Sequence, residues 1–487
     1  MCDIIGVVCF LTNIILNIDR KWIPMSIKKF FGNRAFYKHL LAIMLPILVQ
    51  NAITNFISLL DNIMVGQVGT EQMSGVSIVN QLIFVFSLCV FGTISGGGLF
   101  GAQFFGKGDH EGVRHTFRLK LYSILIITAL AIILFVCCGE PLISLYLHEG
   151  SETGDLALTL KYAKQYLAIS LIGLLPYAIT QVYASSLREI GHTVPPMTAG
   201  IIGVVTNLVF NYVLIFGKFG APALGVAGAA VATVISRFVE CAIIIIWTHT
   251  HKHRCEFIKG VYRSLYVPMS LIKAVSKKGL PLLLNETVWA AAQATLLQCY
   301  SVRGIAVVSA MNITNTVFNT FSVLFLSVGS AVALILGHIL GTGDVEEARA
   351  AARKMITFSI GMGIMCSILV CIVAPFFPNI YNTTEEVRSL ATELTFVIAL
   401  FSPLHAYLHS CYFTIRSGGK TFVVFLFDSG YAWCGNVLLA FVLGYFTSLP
   451  IVIVYMCVQG IDLIKAVLGT LIVAHGSWAV DLTQKIE

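Results

Sequence analysis

The chain has 487 residues, of which 57% are hydrophobic and only 11% are charged. A soluble domain carries about 25% charged residues, and no soluble core could bury this much apolar surface, so lipid must solvate most of the chain. The net charge of +7 is spread over short segments between apolar runs, whereas a nucleic-acid-binding protein would concentrate it in a soluble basic domain.

Residues 1–24 are largely apolar and precede Met25, which opens a segment typical of a natural start. Asp19, Arg20 and Lys21 follow the apolar run, whereas the basic residues of a signal peptide precede it, so the segment lacks the pattern of a signal peptide. We interpret residues 1–24 as an upstream extension or as an extra interfacial or membrane helix. We assign residues 1–35 to an N-terminal cytoplasmic segment outside the fold.

About twelve apolar runs follow, many near the ~20 residues that a helix needs to cross the hydrocarbon layer. Alternating segments typical of a membrane β-barrel are not seen. The chain is therefore predicted to be an all-α membrane protein with twelve transmembrane helices. The predicted spans are 38–64, 72–98, 118–138, 162–184, 196–216, 223–247, 280–301, 306–338, 354–375, 391–415, 420–445 and 450–473.

The distribution of basic residues predicts the orientation of these spans. If the N-terminus is cytoplasmic, most of the 31 Lys and Arg residues fall on the cytoplasmic side. Those on the opposite side are Lys161, Lys164, Lys218, Arg303 and Arg388. Because basic residues accumulate in cytoplasmic loops, we expect a multi-pass protein of the cell membrane with both termini cytoplasmic.

An internal repeat relates the two halves of the chain. When the sequence is aligned with itself at an offset of 235 positions, identical residues recur without a gap along a stretch of more than 70 positions. The matched pairs include Pro46 and Pro281, Asn80 and Asn315, Gly106 and Gly341, Asp109 and Asp344, Arg114 and Arg349, and Arg118 and Arg353. Six spans per half is an even number, so the halves share one orientation in a parallel repeat.

This repeat gives the predicted domain organisation: a six-helix N-lobe at 36–248, a cytoplasmic connector at 249–279, a six-helix C-lobe at 280–475 and a cytoplasmic tail at 476–487. The two GxGD loops are interpreted as cytoplasmic turns. In each, Asp caps the next helix and the following Arg residues lie at the lipid headgroups. Two similar bundles favour a transporter, because they can rock about a central site.

Several motifs resemble the multidrug and toxic compound extrusion (MATE) family of antiporters, and the resemblance covers essentially all of 36–480. The motifs are DNIMVGQVG at 61–69, GAQFFGKGD at 101–109, SLREIGHTVPPM at 186–197, GHILGTGD at 337–344 and IRSGGKT at 415–421. The resemblance implies a V-shaped pair of six-helix lobes. It also implies export of organic, often cationic, compounds driven by a proton or sodium gradient.

Ionisable residues inside spans are costly and usually functional. Asp61, which follows Asn55 in the first span, matches the aspartate of the family motif. A carboxylate in a poorly hydrated lobe has a raised pKa, so Asp61 is predicted to carry the coupling proton. The alternative is a carboxylate at the membrane boundary that caps the following turn.

Glu286, Trp289 and Gln293 share one helix face by their i, i+3, i+7 spacing. A carboxylate beside an aromatic ring suits an organic cation, so this face is predicted to bind substrate, and Glu286 could also bind the coupling ion. A polar hydrogen bond between helices is the alternative for Glu286. Asn55 and the repeat-related Asn80 and Asn315 are also predicted to bind substrate, and the latter two are expected to line the cleft between the lobes.

Asp428 lies in the middle of a span without an evident local partner and is a further candidate for ion coupling. Asp462 and Lys465 are separated by three positions, as are Arg237 and Glu240. We expect each of these two pairs to form an internal salt bridge with a structural role.

His405 and His409 have the i, i+4 spacing of metal ligands, but the third ligand of a HExxH-type site is missing, so packing residues and no metal are expected. Some family members place an acidic residue in this span as part of a sodium site. Between Glu393 and Asp428 the chain has no Asp or Glu, which favours proton coupling with Asp61 as its centre.

The sequence therefore predicts a proton- or sodium-coupled antiporter, active as a monomer in the lipid bilayer, that exports small organic cations by alternating access. We expect it not to be an enzyme and to need no cofactor beyond the coupling ion. A flippase for a lipid-linked oligosaccharide is the main alternative, and a membrane-embedded enzyme built around His405 and His409 is another. The excess of acidic over basic residues inside the spans favours cations as substrates.

Overall fold

The computed structural model describes residues 27–146, 155–381 and 383–485, apart from the side chains of residues 27, 28, 57–63, 70, 305 and 485. Our interpretation of residues 1–24 and the side chain of Asp61 therefore lie outside the described residues. Within them the chain forms twelve long helices and no strand. This architecture confirms the predicted all-α fold with six helices in each half.

The helices of the first half are α1 (Arg34–Gly66), α2 (Thr70–Lys107), α3 (His110–Ser144), α4 (Leu156–Glu189), α5 (Val194–Phe216) and α6 (Val226–Thr250). Those of the second half are α7 (Met269–Ser301), α8 (Ile305–Gly341), α9 (Val345–Val373), α10 (Glu385–Ser417), α11 (Thr421–Phe446) and α12 (Ile451–His475). Short 3₁₀ turns lie at Ile27–Phe30, Glu256–Ile258, Phe377–Ile380 and Thr483–Lys485.

Eleven helices in the described part of the chain are long and apolar enough to cross a membrane. Helix α7, which contains the predicted span 280–301, is 33 residues long but falls outside this set. It carries Asn285, Glu286 and Gln293 among its apolar residues, and these polar side chains lower its mean hydropathy. The one long helix of the described residues that falls outside this set is thus one on which a functional site was predicted.

The outer faces of the helices are apolar. On α3, the side chains of Ile126, Leu130, Ile133 and Val136 are each more than half exposed. A continuous apolar face of this length is stable only against lipid, because water would leave its hydrophobic surface unburied. The exposure pattern therefore agrees with a multi-pass membrane protein.

The chain packs as two compact units. Of the described residues, the first-half unit holds those in Val49–Gly101 and Gly108–Leu283, and the second-half unit holds those up to Leu48, in Ala102–Lys107 and from Leu284 onward. Packing boundaries thus fall inside α1, α2 and α7. In the second-half unit, for example, the start of α1 lies against α9, where the rings of Tyr37 and Phe358 are 5.7 Å apart.

The two GxGD turns have the same geometry. Gly108 has a φ of +80° and Gly343 a φ of +84°, a left-handed conformation that favours glycine. After each of them an aspartate, Asp109 or Asp344, accepts a hydrogen bond of 2.8 Å from the backbone N–H of the third residue of the next helix. The predicted helix-capping role of both aspartates is confirmed.

Helices α2 and α8 cross at two repeat-related glycines within the second-half unit. Gly106 lies against the backbone of His338, and Gly341 lies against the backbone of Gln103. The offset of 235 positions relates Gly106 to Gly341 and Gln103 to His338, so the contact is symmetric. A side chain at either glycine would overlap the neighbouring backbone, which explains why both helices need glycine here.

The arginines that follow the first GxGD turn hold the connector. Arg118 is only 6% exposed and donates hydrogen bonds to the backbone oxygens of Gly260, Val261 and Tyr266 at 2.8–3.2 Å. Arg114 donates a further bond of 3.2 Å to the backbone oxygen of Phe257. The prediction that these arginines lie at lipid headgroups is wrong, because the connector folds back and presents carbonyl groups to them.

The C-terminal segment is held in a similar way in the second-half unit. Arg349, the repeat partner of Arg114, donates to the backbone oxygen of Gly476 at 3.3 Å. Gln103 is fully buried and donates to the backbone oxygens of Ser417 and Val480, while its own oxygen accepts from the backbone N–H of Leu482 at 2.7 Å. The segment after α12 is therefore packed against the helices as far as the structure describes it.

Candidate functional site

Helix α11 is irregular in its middle. It begins as an α-helix at Thr421–Phe425, continues through π-helical turns at Leu426–Gly430 and Ala432–Val437, and ends as an α-helix at Leu438–Phe446. A π-helical turn places an extra residue in each turn and redirects the side chains that follow. Such turns occur frequently at functional sites, and Asp428 lies in the first of them.

Helix α12 is interrupted opposite these turns, at Ile461, between the segments Ile451–Gly460 and Asp462–His475. Asn436 donates to the backbone oxygen of Val458 at 3.1 Å, and the Tyr431 hydroxyl donates to that of Ile461 at 2.6 Å. Side chains of α11 thus satisfy carbonyl groups next to the interruption. Irregular backbone at membrane depth is tolerated where protein groups supply such bonds.

Asp428 connects three helices. Its Oδ1 lies 3.0 Å from Lys465 Nζ on α12, and its Oδ2 accepts a hydrogen bond of 3.2 Å from Asn285 Nδ2 on α7. The neighbouring Ser429 Oγ lies 2.8 Å from both the backbone and side-chain oxygens of Asn285. Asp428 therefore has a charged partner that its local sequence did not indicate.

The predicted salt bridge between Asp462 and Lys465 is wrong. Because α12 is interrupted at Ile461, Asp462 is the first residue of the second segment, and its Oδ1 accepts from Asn436 Nδ2 at 3.1 Å. Lys465 lies one turn later and pairs with Asp428 instead. The ammonium of Lys465 is flanked by the rings of Phe427 at 5.2 Å and Tyr431 at 5.9 Å.

Glu286 lies beside Asn285 and extends this arrangement toward α10. Its Oε1 is 3.5 Å from the Tyr412 hydroxyl, which is also 3.4 Å from Asn285 Nδ2. The guanidinium of Arg416 follows, with Nη1 3.5 Å from the same hydroxyl. We call the set Asn285, Glu286, Tyr412, Arg416, Asp428 and Lys465 the α7 charge network; it places two carboxylates between two cationic groups.

The MatE family profile matches residues 46–213 and 283–446, once in each half of the chain. The chain belongs to the MatE family.

Two relatives illustrate the similarity of this MatE protein to others. The multidrug resistance protein MdtK of Pectobacterium atrosepticum is 26% identical over 371 residues, which cover 75% of this chain and 78% of MdtK. The probable multidrug resistance protein NorM of Thermotoga maritima is 23% identical over 446 residues, which cover 91% of this chain and 93% of NorM.

Solved structures show the same fold. An outward-facing multidrug resistance MATE family transporter of the MOP superfamily superposes with a TM-score of 0.82 at 18% identity, covering 92% of this chain and 96% of the other. A single-residue mutant of the Vibrio cholerae MATE transporter VcmN superposes with a TM-score of 0.77 at 17% identity, covering 92% and 97%. At this level of identity the likeness concerns the fold alone.

The other residues predicted to bind substrate in this MatE protein are not members of the α7 charge network. Trp289 and Gln293 have exposed side chains on α7, whereas Glu286 turns toward Tyr412. Asn55 is exposed on α1, and Asn315 is half-buried on α8. Asn80 is exposed on α2 in the first-half unit, where its Oδ1 is 3.4 Å from the hydroxyl of Tyr166.

Arg237 and Glu240 on α6 form the expected ion pair, with Arg237 Nη1 3.5 Å from Glu240 Oε2. Arg237 also lies 4.7 Å above the ring of Tyr177 on α4. The pair lies in the first-half unit and links two helices through charge and a cation–π contact.

His405 and His409 both form polar contacts within the second-half unit. His405 Nε2 lies 3.1 Å from Gln459 Oε1, and His409 Nδ1 lies 3.0 Å from the backbone oxygen of His405. Among the described residues, no group of three or more His, Cys, Asp or Glu side chains is arranged to hold a metal ion. This geometry suits the packing role expected for the two histidines.

A buried ion pair in the first-half unit of the MatE fold was missed by the sequence analysis. Lys120 Nζ on α3 lies 2.7 Å from Glu189 Oε1 at the end of α4 and 2.7 Å from Ser186 Oγ. The side chains of Lys120 and Glu189 are 1% and 4% exposed. The sequence did not indicate this pair, because it does not show that the start of α3 packs against the end of α4.

Proposed function

We propose that this MatE protein is an antiporter that exports small organic cations across the cell membrane in exchange for protons or sodium ions, with protons favoured. The observation that carries the proposal is the α7 charge network on the irregular helices α11 and α12. Discontinuous helices that place charged side chains at membrane depth are the usual setting of substrate and coupling-ion sites in secondary transporters.

The chemistry of the network supports a cationic substrate. Glu286 is half-buried and its Oε1 lies 3.5 Å from the Tyr412 hydroxyl, so an organic cation would find both a carboxylate and a hydroxyl oxygen there. The names of the relatives MdtK and NorM, both multidrug resistance proteins, support export of drug-like compounds. Under this proposal Glu286 contacts the substrate or the coupling ion, and Asp61 carries the coupling proton.

The remaining parts of the proposal come from the sequence. The distribution of Lys and Arg supports cytoplasmic termini, and two six-helix halves in one chain support a monomer as the functional form. The coupling ion is the only cofactor proposed. The protein would move its substrate without changing it chemically.

An efflux assay in intact cells tests this proposal. In cells that express the protein and are loaded with the cationic dye ethidium, efflux is expected to exceed that of cells with an empty vector. Glu286→Gln and Asp61→Asn should each reduce the efflux rate by about tenfold or more, equivalent to about 1.4 kcal/mol of lost transition-state stabilisation.

Glu140→Gln is the matched control, because Glu140 pairs with Lys164 and is 54% exposed, outside the α7 charge network. It should leave efflux unchanged at equal expression. Equal efflux from the Glu286→Gln, Asp61→Asn and parent proteins would contradict the roles proposed for the two carboxylates. Absence of efflux by the parent protein would contradict dye export itself.

A further inference from the structure

Lys465 places a basic side chain inside an apolar helix that is long enough to cross a membrane. Its side chain is 13% exposed, it lies in the second segment of α12, and its ammonium contacts Asp428 at 3.0 Å between the rings of Phe427 and Tyr431. A lysine inside a span is costly and is retained where it pairs with an acidic group and serves function. Lys465 follows the interruption of α12 by one turn, and from there its ammonium reaches Asp428 of the α7 charge network.

The partners of Asp428 show what the lysine does there. Oδ1 is used by the ammonium and Oδ2 by Asn285, so both carboxylate oxygens are occupied by groups of the chain itself. The two other acids on these elements, Glu286 and Asp462, are engaged by Tyr412 and Asn436. A free monovalent cation at Asp428 would have to compete with the ammonium for the carboxylate.

We propose that the ammonium of Lys465 occupies the cation-binding position at Asp428 and thereby takes the place of a sodium ion. A tethered group has a high effective concentration, so a weakly bound ion such as sodium does not displace it. A lipophilic organic cation can compete, because it would gain the faces of Phe427 and Tyr431 together with the carboxylate. The inference rests on the proposed function, since it names the occupant of the cation position in the same site.

Removing the ammonium should create a sodium site. The experiment measures the melting temperature of the purified full-length protein in detergent during titration with NaCl, using choline chloride at equal ionic strength as the reference. A ligand that binds only the folded state raises the melting temperature in a saturable way. The parent protein is expected to respond equally to both salts, and Lys465→Ala is expected to show a saturable rise with sodium alone.

Three further variants make the result specific. Lys465→Arg retains a cation and should behave as the parent does. The double variant Lys465→Ala/Asp428→Asn should lose the sodium response, because the carboxylate is gone. Lys164→Ala removes a lysine from an exposed ion pair and should show no sodium-specific change.

Two results would overturn the inference: a sodium-specific rise in the parent protein, or no such rise in Lys465→Ala. If Lys465→Ala does not fold, Lys465→Gln takes its place with the same expectation, because it also lacks the charge. The readout is sodium binding, so it is independent of transport. If the parent protein exports no cation while the sodium response follows this pattern, the proposed function fails and the assignment of Lys465 stands.

Discussion

The pairing of Lys120 with Glu189 depends on glycines of α2. Gly97 faces the aliphatic part of Lys120, and Gly98 and Gly101 face the carboxylate of Glu189, so a side chain at these positions would collide with the pair. At the offset of 235 positions Lys120 corresponds to Met355. Around the end of α4 the repeat continues at an offset of 228, which superposes Arg188 on Arg416 and Glu189 on Ser417. Met355 and Ser417 are both almost fully buried. At this position the first half therefore has a buried, hydrogen-bonded ion pair, whereas the second half has two neutral side chains.

Replacing only Lys120 should be strongly destabilising. Lys120→Met leaves Glu189 buried without its cation, and removal of one partner from a buried pair costs about 3–5 kcal/mol. The double variant Lys120→Met/Glu189→Ser copies the second half and should recover most of that loss. Thermal unfolding in detergent checks both expectations, with the exposed Lys164→Met as control.

A double variant that is no more stable than Lys120→Met alone would contradict this account. Such a result would mean that the ion pair adds to the stability of the fold beyond the neutralisation of one buried charge by the other.

Individual acidic residues could be predicted from the sequence, but their partners could not. Glu286 and Asp428 stand out because charged residues are rare in apolar runs. Lys465 pairs with Asp428 instead of Asp462, because Asp428 in the first π-helical turn of α11 lies 3.0 Å from the ammonium, while Asp462 accepts from Asn436. Such irregularities depend on packing between helices, which i, i+3 spacing does not describe.

At the scale of elements, the crossing of α2 and α8 requires glycine at two positions. Gly341→Ala should push the methyl group into the backbone of Gln103 and cost about 1–3 kcal/mol, as overpacking usually does. Gly361→Ala on α9 is the control, because a Cβ atom there meets no neighbouring atom within 4 Å.

In the control, alanine should even stabilise the helix, by up to about 1 kcal/mol. The comparison is made by the melting temperatures of the two variants in the same detergent. Equal effects of the two substitutions would contradict the tight crossing.

The docked connector gives a second prediction at this scale. Cys255 is fully buried, and burial raises the pKa of its thiol to about 11, so the reactive thiolate is scarce at neutral pH. Alkylation of Cys255 by N-ethylmaleimide at pH 7.5 should be slow in the parent protein. Arg118→Ala, which removes the bonds to the connector carbonyls, should accelerate it.

Arg263→Ala is the control, because Arg263 lies on the same connector with an exposed side chain. Mass spectrometry of the peptide that contains Cys255 gives the rate of modification. The docking role of Arg118 would be contradicted by a parent-like rate in Arg118→Ala.

At the scale of the whole molecule, the repeat in the sequence predicted the fold well. Twelve spans and six helices per half follow from apolar length and from the offset of 235 positions, both of which are local features of the chain. The same offset relates Asp109 to Asp344 as helix caps and Arg114 to Arg349 as anchors of a folded-back segment. The prediction that these arginines lie at lipid headgroups was wrong because the sequence does not show that the connector and the C-terminal segment fold back onto them.

The chemistry of the two halves is less symmetric than their scaffold. The α7 charge network belongs to the second-half unit, whereas the Lys120–Glu189 pair belongs to the first. The repeat partner of Glu286 is Asn51, and that of Asp61 is Leu296. A similar arrangement of helices therefore supports different side-chain chemistry in each half, which suits a transporter that couples the movement of an ion to that of a substrate.

The central claim is that this chain couples a cation gradient to transport of an organic cation through Glu286. It is tested most directly by uptake of labelled tetraphenylphosphonium into proteoliposomes, with proton and sodium gradients imposed separately. We predict accumulation driven by the proton gradient, lost in Glu286→Gln and retained in Glu140→Gln. Uptake that is independent of both gradients, or that is unchanged in Glu286→Gln, would contradict the account.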